Sequence, residues 1–102
     1  MEHLEYELPG RPGTTPARDW ALVGVVTSSN LEVLVEKAAL GGKCRFVVDT
    51  SAKGFGPIWQ AVIEDFLAKH PAGDLLFSIH DNGAPPAVVA LRLAQALDAM
   101  DG

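Results

Sequence analysis

Two strand-forming runs with almost nothing between them constrain the fold of this chain more than any other feature. Residues 20–27 are apolar on both faces and rich in valine, which is typical of a buried strand. Residues 31–36 alternate apolar and acidic side chains, which is typical of a half-buried strand. Because only Ser28, Ser29 and Asn30 separate the two runs, we predict a tight hairpin here.

Three further segments have the period of two that a strand requires. Residues 1–8 alternate leucine or tyrosine with glutamate over most of their length. Residues 43–49 and 75–79 carry an apolar side chain at every second position. We therefore predict a strand in each of these three segments.

Two segments have apolar residues at helical spacing, and proline stands near the start of each. The first begins at Gly56 and Pro57 and ends before Pro71, and the second begins at Pro85 and Pro86. Proline is well tolerated at the first helical position, where its missing N–H has no helical partner to lose. The predicted buried stripes comprise Phe55, Trp59, Val62, Ile63 and Phe66 in the first helix, and Val89, Leu93, Ala96, Leu97 and Met100 in the second.

These elements predict an α+β fold in the order β-β-β-β-α-β-α, with a single small mixed sheet and both helices packed on one face. The strand–helix–strand unit over residues 43–80 should pair its two strands in parallel. We treat residues 1–102 as one domain, with residues 9–19 as an irregular connector. The predicted shared core contains Trp59, Phe66, Phe46, Phe77 and Leu93.

Composition excludes several classes of function. The formal net charge of -5 argues against nucleic acid as a partner, because phosphate binding needs clustered lysine and arginine. Cys44 is the single cysteine, so no internal disulfide can form and a reducing cytoplasm is the expected location. The first residues lack the apolar stretch of a secretory signal, and no apolar run is long enough to span a membrane.

Residues with potential chemistry are all explained better by structural roles. His80 and Asp81 are adjacent, as a base and its orienting carboxylate could be, but an acid–base site also needs a third group and a pocket. Cys44 shares a strand face with apolar residues and is expected in the core. The histidines lie far apart in the sequence without metal-ligand spacing. We therefore predict neither a catalytic residue nor a metal site.

Ser28 is the one position at which the pattern is also compatible with a covalent attachment site. A serine in a short hairpin usually serves the turn itself. A hydroxyl at the tip of such a hairpin would nevertheless be exposed to a modifying enzyme and held on a stiff support.

Three segments of the chain resemble the acyl carrier (delta) subunit of bacterial malonate decarboxylase. Residues 24–34 read Gly-Val-Val-Thr-Ser-Ser-Asn-Leu-Glu-Val-Leu and are similar to the attachment segment of that family. Residues 50–59 and 79–93 are similar to its middle and C-terminal segments. Ser29 and Asn30 replace the glycine and aspartate that usually follow the family serine, so Ser29 is a competing acceptor. The Asp-Ser-Leu motif of helical carrier proteins is absent.

The resemblance implies a non-catalytic carrier subunit that acts in the decarboxylation of malonate to acetate and CO2. Ser28 would hold a covalent 2'-(5''-phosphoribosyl)-3'-dephospho-coenzyme A group, whose thiol carries acetyl and malonyl as thioesters. The implied partners are the acyl-transferase and decarboxylase subunits, a malonyl transferase, and the phosphoribosyl-dephospho-CoA transferase that attaches the group.

Two other interpretations remain open at this point. The carrier (gamma) subunit of citrate lyase is a small protein with a similar arm, and the glycine-rich segments of this chain look alike in both families. The Gly-Val-Val and Glu-Val-Leu flanks of Ser28 favour the malonate enzyme. The second alternative is an unmodified interaction module, in which the hairpin merely binds a partner.

Overall fold

The computed structural model describes residues 2–10, 16–24 and 31–101. Within these ranges the chain forms five strands and two helices in the predicted order. None of the helices in the described part of the chain combines the length and the apolarity needed to cross a membrane. The elements are β1 (Glu2–Leu8), β2 (Trp20–Val23), β3 (Leu31–Lys37), β4 (Cys44–Thr50), α1 (Gly56–Lys69), β5 (Leu75–Asp81) and α2 (Pro86–Ala99).

The described strands form one mixed sheet in the order β1-β4-β5-β3-β2. β4 and β5 are parallel neighbours joined through α1, as predicted, whereas the other pairs are antiparallel. Thr50 at the end of β4 lies in register with Asp81 at the end of β5, and Leu31 at the start of β3 lies in register with Asp81. The ends of β4 and β5 and the start of β3 therefore lie side by side along one side of the sheet, which we call the Asp81 edge.

The core lies between one face of the sheet and the two helices. At its centre the rings of Phe46 and Phe77 stack with their centroids 4.6 Å apart. Phe66 of α1 meets both rings edge-on, at 6.4 Å from Phe46 and 5.8 Å from Phe77. Aromatic pairs in this geometry are stabilised beyond the burial of their area. The five residues predicted to share a core, which include Trp59 and Leu93, are all buried in it.

The hairpin prediction is confirmed in its pairing, but the prediction of a strand buried on both faces is wrong for residues 20–23, the described strand of the predicted 20–27. β2 pairs with β3 at one edge of the sheet and ends at Val23. Trp20 is 60% exposed and Leu22 is 50% exposed, because both project from the sheet face that the helices leave uncovered. An apolar pattern on both faces of a strand does not reveal whether both faces are covered. Residues 25–30 lie outside the described ranges.

Gly24 explains why the described ladder stops where it does. Its φ of +93° lies in the left-handed region that favours glycine. A Cβ at this position would stand 2.1 Å from the carbonyl oxygen of Leu31, which no side chain permits. The two ends of the hairpin connection are thus held in close contact at Gly24 and Leu31.

Candidate functional site

Ser28, the predicted attachment residue, lies outside the described residues, but its two flanking anchors are described. β2 ends at Val23 and is followed by Gly24, and β3 begins at Leu31. Three Cα–Cα steps separate Ser28 from Leu31, so covalent geometry keeps the two Cα atoms within about 11 Å. The chain therefore tethers Ser28 to the end of the sheet at which Leu31 pairs with Asp81.

A buried hydrogen-bond cluster fixes the Asp81 edge. The Asp81 carboxylate accepts a hydrogen bond from the Thr50 hydroxyl at 2.7 Å through Oδ2 and from the Ala84 backbone N–H at 2.8 Å through Oδ1. The Thr50 hydroxyl also accepts a hydrogen bond from the Ala52 N–H at 3.1 Å. The cluster ties the loop after β4 to the loop after β5. Asp81 therefore shapes the turn that follows β5.

An apolar pocket opens beside this cluster, between the starts of the two helices. Its volume is about 330 Å³, which falls at the lower end of the range for small-molecule sites. Phe55 and Ile58 form part of its wall although they are 46% and 45% exposed. The other lining residues are Ala52, Trp59, Val62, Asp81, Gly83, Ala84, Pro85, Pro86 and Val89.

The exposure of Phe55 corrects the predicted buried stripe of α1. Phe55 is the N-cap residue, with φ -102° and ψ 14°, so it stands off the helix rather than on its buried face. Phe55 was predicted to be buried because it stands four residues before Trp59, and this prediction is wrong. Sequence reasoning also missed the pocket as a whole. The sequence contained one signal that could have indicated the pocket. β4 and β5, which pair in parallel, are each followed closely by a helix that has proline near its start.

The two helix starts at the pocket lack side-chain caps, and Asp81 is the acidic residue that lines the pocket beside them. Phe55 and Pro85 are the N-cap residues of α1 and α2, and neither makes a side-chain capping hydrogen bond. Neither helix has an acidic residue in its first turn. The first N–H groups of a helix have no intrahelical acceptor and carry partial positive charge. Proline in the first turn removes a backbone donor from each helix, so these helix starts offer partial positive charge rather than a row of free N–H groups.

The histidines that lie far apart in the sequence are partly brought together on the uncovered face of the sheet. Asp49 of β4 stands between two of them, with Oδ1 2.7 Å from His3 Nδ1 and Oδ2 3.7 Å from His80 Nε2. Glu5 Oε2 lies 2.9 Å from His3 Nε2. These groups are exposed or half-buried. In the described ranges, no set of three or more histidine, cysteine or acidic residues could hold a metal ion.

His80 and Asp81 do not form an acid–base pair. Successive residues of a strand point to opposite faces of the sheet. His80 is exposed on the uncovered face, whereas Asp81 is buried on the helix-covered face. The structural interpretation of both residues is therefore the correct one.

Cys44 is a core residue, as predicted. Its side chain is fully buried, and this burial raises the pKa of the Cys44 thiol to about 11. Since the thiolate is the nucleophilic form, the thiol of the folded chain is expected to be inert at neutral pH.

The buried cluster predicts a specific loss of stability on truncation of Asp81. Asp81→Ala removes the acceptor of both the Thr50 hydroxyl and the Ala84 N–H, and should lower the free energy of unfolding by about 1–3 kcal/mol. Asp81→Asn keeps an acceptor oxygen in the same place and should lose less. Urea unfolding of the three proteins measures this. An Asp81→Ala variant as stable as the parent chain would show that the cluster does not stabilise the edge.

The His3 contacts predict a small pH dependence of stability. The hydrogen bond to Asp49, followed by that to Glu5, raises the pKa of His3 above the ordinary histidine value of 6.5. The stabilisation is then fully present below pH 6.5, the unfolded pKa, and is lost as the pH rises through the folded pKa.

NMR titration of the His3 ring should give a midpoint above 6.5 that falls in an Asp49→Asn variant. The Asp49→Asn change removes the largest cause of the shift while leaving the ring in place. A midpoint at or below 6.5 in the parent chain would contradict the assigned contacts.

Comparison with known proteins places the whole chain in one family. The family model for the malonate decarboxylase delta subunit (MdcD) matches residues 18–100. The malonate decarboxylase acyl carrier protein of Xanthomonas campestris pv. campestris (strain B100) is 55% identical over 102 residues, covering 100% of this chain and 97% of that protein. The protein of the same name from Burkholderia cepacia is 55% identical over 97 residues, covering 94% of this chain and 87% of that protein.

A solved structure has the same fold over nearly the full length. It is a chain in the crystal structure of a Pseudomonas malonate decarboxylase hetero-tetramer in complex with malonate. The match has a TM-score of 0.85 at 41% identity and covers 98% of this chain and 99% of the other. Together with the family match and the full-length relatives, this similarity shows that the chain belongs to the malonate decarboxylase acyl carrier (delta subunit) family.

Proposed function

We propose that Ser28 carries a covalent 2'-(5''-phosphoribosyl)-3'-dephospho-coenzyme A group, on which this chain presents acetyl and malonyl thioesters during the decarboxylation of malonate. The observation that carries the proposal is that this chain belongs to the carrier family. Gly24 and Leu31, the described residues on either side of the segment that contains Ser28, lie close together, and Leu31 is in register with Asp81. Ser28 Oγ would be joined to the group through a phosphodiester.

The described residues at the Asp81 edge fit such a group. The arm combines phosphates, amides and a short alkyl thiol. The pocket beside the edge offers an apolar wall around Trp59, together with two helix starts whose first turns contain no acidic residue. When bound, the group supplies a terminal thiol, whose thioesters are good acyl donors and stabilise the developing carbanion during loss of CO2.

The part played by this chain in the reaction is support and delivery. The Asp81–Thr50 cluster and the stacked phenylalanines stiffen the edge from which the arm extends. A tether of this kind holds the acyl group at high effective concentration for each active site in turn. Because burial raises the pKa of the Cys44 thiol to about 11, Cys44 does not compete for the acyl group.

Catalysis itself is assigned to partner proteins. The proposed partners are the acyl-transferase and decarboxylase subunits, a malonyl transferase, and the phosphoribosyl-dephospho-CoA transferase that modifies Ser28. The solved relative comes from a hetero-tetramer, which supports action within a complex. We place the assembly in the cytoplasm, where the thiol of the arm and Cys44 stay reduced.

Attachment at Ser28 predicts a difference between two adjacent serine variants. Ser28→Ala and Ser29→Ala are incubated with the phosphoribosyl-dephospho-CoA transferase and its activated substrate, and the peptides are analysed by mass spectrometry. Ser28→Ala should keep the unmodified mass and support no malonate turnover. Ser29→Ala should be modified and serves as the matched control. Both variants should fold normally, since surface changes usually alter stability by no more than about 0.5 kcal/mol.

The buried cysteine gives this experiment a second readout. A thiol reagent applied to the native chain should find no reactive group before modification and a single one after it, because Cys44 is buried. An adduct on Ser28→Ala but none on Ser29→Ala would move the site to Ser29. A parent chain that is never modified would contradict the proposal and favour the unmodified interaction module.

A further inference from the structure

We propose that the pocket between the starts of α1 and α2 receives the acyl-thiol end of the arm on Ser28 and shields its thioester from water between transfers. The inference rests on the proposed function and goes beyond it, because it assigns the arm a resting site on its own carrier. The residues that define this site are Phe55, Ile58, Trp59, Val62 and Val89.

The first support is the chemistry of the pocket wall. Phe55 and Ile58 are large apolar side chains that remain about half exposed beside a cavity. Large apolar side chains that remain exposed together are typical of a binding site. The floor is formed by buried Trp59 and Val89. An acetyl thioester presents sulfur and a methyl group, which such a wall can exclude from water. The carboxylate of a malonyl thioester would instead remain in solvent, because burying an unpaired charge is costly.

The second support is the short distance between the pocket and Leu31, the residue that follows the segment containing Ser28. Asp81 lines the pocket and lies in register with Leu31, the residue at which that segment rejoins the sheet. Paired Cα atoms of antiparallel strands are about 4.5–5.5 Å apart. The Ser28 Cα therefore lies within about 17 Å of the Asp81 Cα. The extended arm is longer than this span and consists largely of freely rotating bonds, so it can fold back into the pocket.

The third support concerns orientation. Both helices begin at the pocket without a side-chain cap or an acidic residue in the first turn. Both Asp81 oxygens accept hydrogen bonds, from the Thr50 hydroxyl and the Ala84 N–H, so the repulsion between this carboxylate and a ligand oxygen is reduced. The thioester carbonyl can thus face the positive helix ends while the acyl carbons face the apolar wall. A short acyl chain buries little area, so a partner subunit can withdraw it readily.

Trp59 allows the proposal to be tested by fluorescence. The test uses the full chain with Trp20→Phe, so that Trp59 is the remaining tryptophan. Intact mass confirms loading and acetylation of the arm. Trp59 emission is then compared between the unmodified and acetyl-loaded forms, and hydrolysis of the acetyl thioester is followed over time.

Ile58→Glu in the same background blocks the pocket. The carboxylate enters the first turn of α1, where a helix tolerates negative charge. Leu91→Glu is the matched control, because Leu91 is an exposed residue of α2 that does not line the pocket. Loading should change Trp59 emission in the parent and in Leu91→Glu but not in Ile58→Glu. The Ile58→Glu thioester should also hydrolyse several-fold faster than the other two.

The outcomes separate this inference from the proposed function. A loaded chain whose Trp59 emission and hydrolysis rate are the same in all three proteins would overturn the resting site and leave Ser28 attachment intact. If Ile58→Glu weakens assembly with the partner subunits and changes nothing else, the resting site is likewise overturned, because the pocket would then bind a partner subunit rather than the arm. Absence of any adduct by intact mass would overturn the proposed function and the resting site together.

Discussion

The parallel pairing of β4 with β5 is the constraint on which the rest of the structure depends. A parallel pair must be joined by a crossover, here α1, and the buried stack of Phe46 on Phe77 holds the two strands together at their centre. Because parallel strands end at the same edge, α1 and α2 both start there. The antiparallel pairing of β3 with β5 then brings Leu31 to that edge as well. One pairing thus places the helix starts, the pocket and the anchor of the Ser28 segment side by side.

The two faces of the sheet differ in what covers them. The covered face holds the core, including the buried Cys44. The uncovered face remains polar around His3, Asp49 and His80, with Trp20 and Leu22 exposed near β2. The described structure therefore combines one packed face of the sheet with one face that is exposed to solvent.

Much of the fold was predictable from local pattern, and the errors share one physical cause. Alternation in residues 31–36 and 43–49 identified strands, and the proline starts identified both helices. Pattern does not report what covers a surface, so Trp20 and Leu22 were assigned to a buried strand and Phe55 to a buried stripe. The pocket escaped prediction for the same reason, because it depends on how two distant helix starts are juxtaposed. Ser28 was identified by resemblance rather than by pattern, since a serine in a turn has an ordinary explanation.

The most direct test of the account is the intact mass of the chain isolated, within its active complex, from cells that grow on malonate. The account predicts that the chain is heavier than its sequence by one phosphoribosyl-dephospho-coenzyme A group, and that the peptide containing Ser28 carries the whole increment. A chain found only at the mass of its sequence, in a complex that decarboxylates malonate, would contradict it.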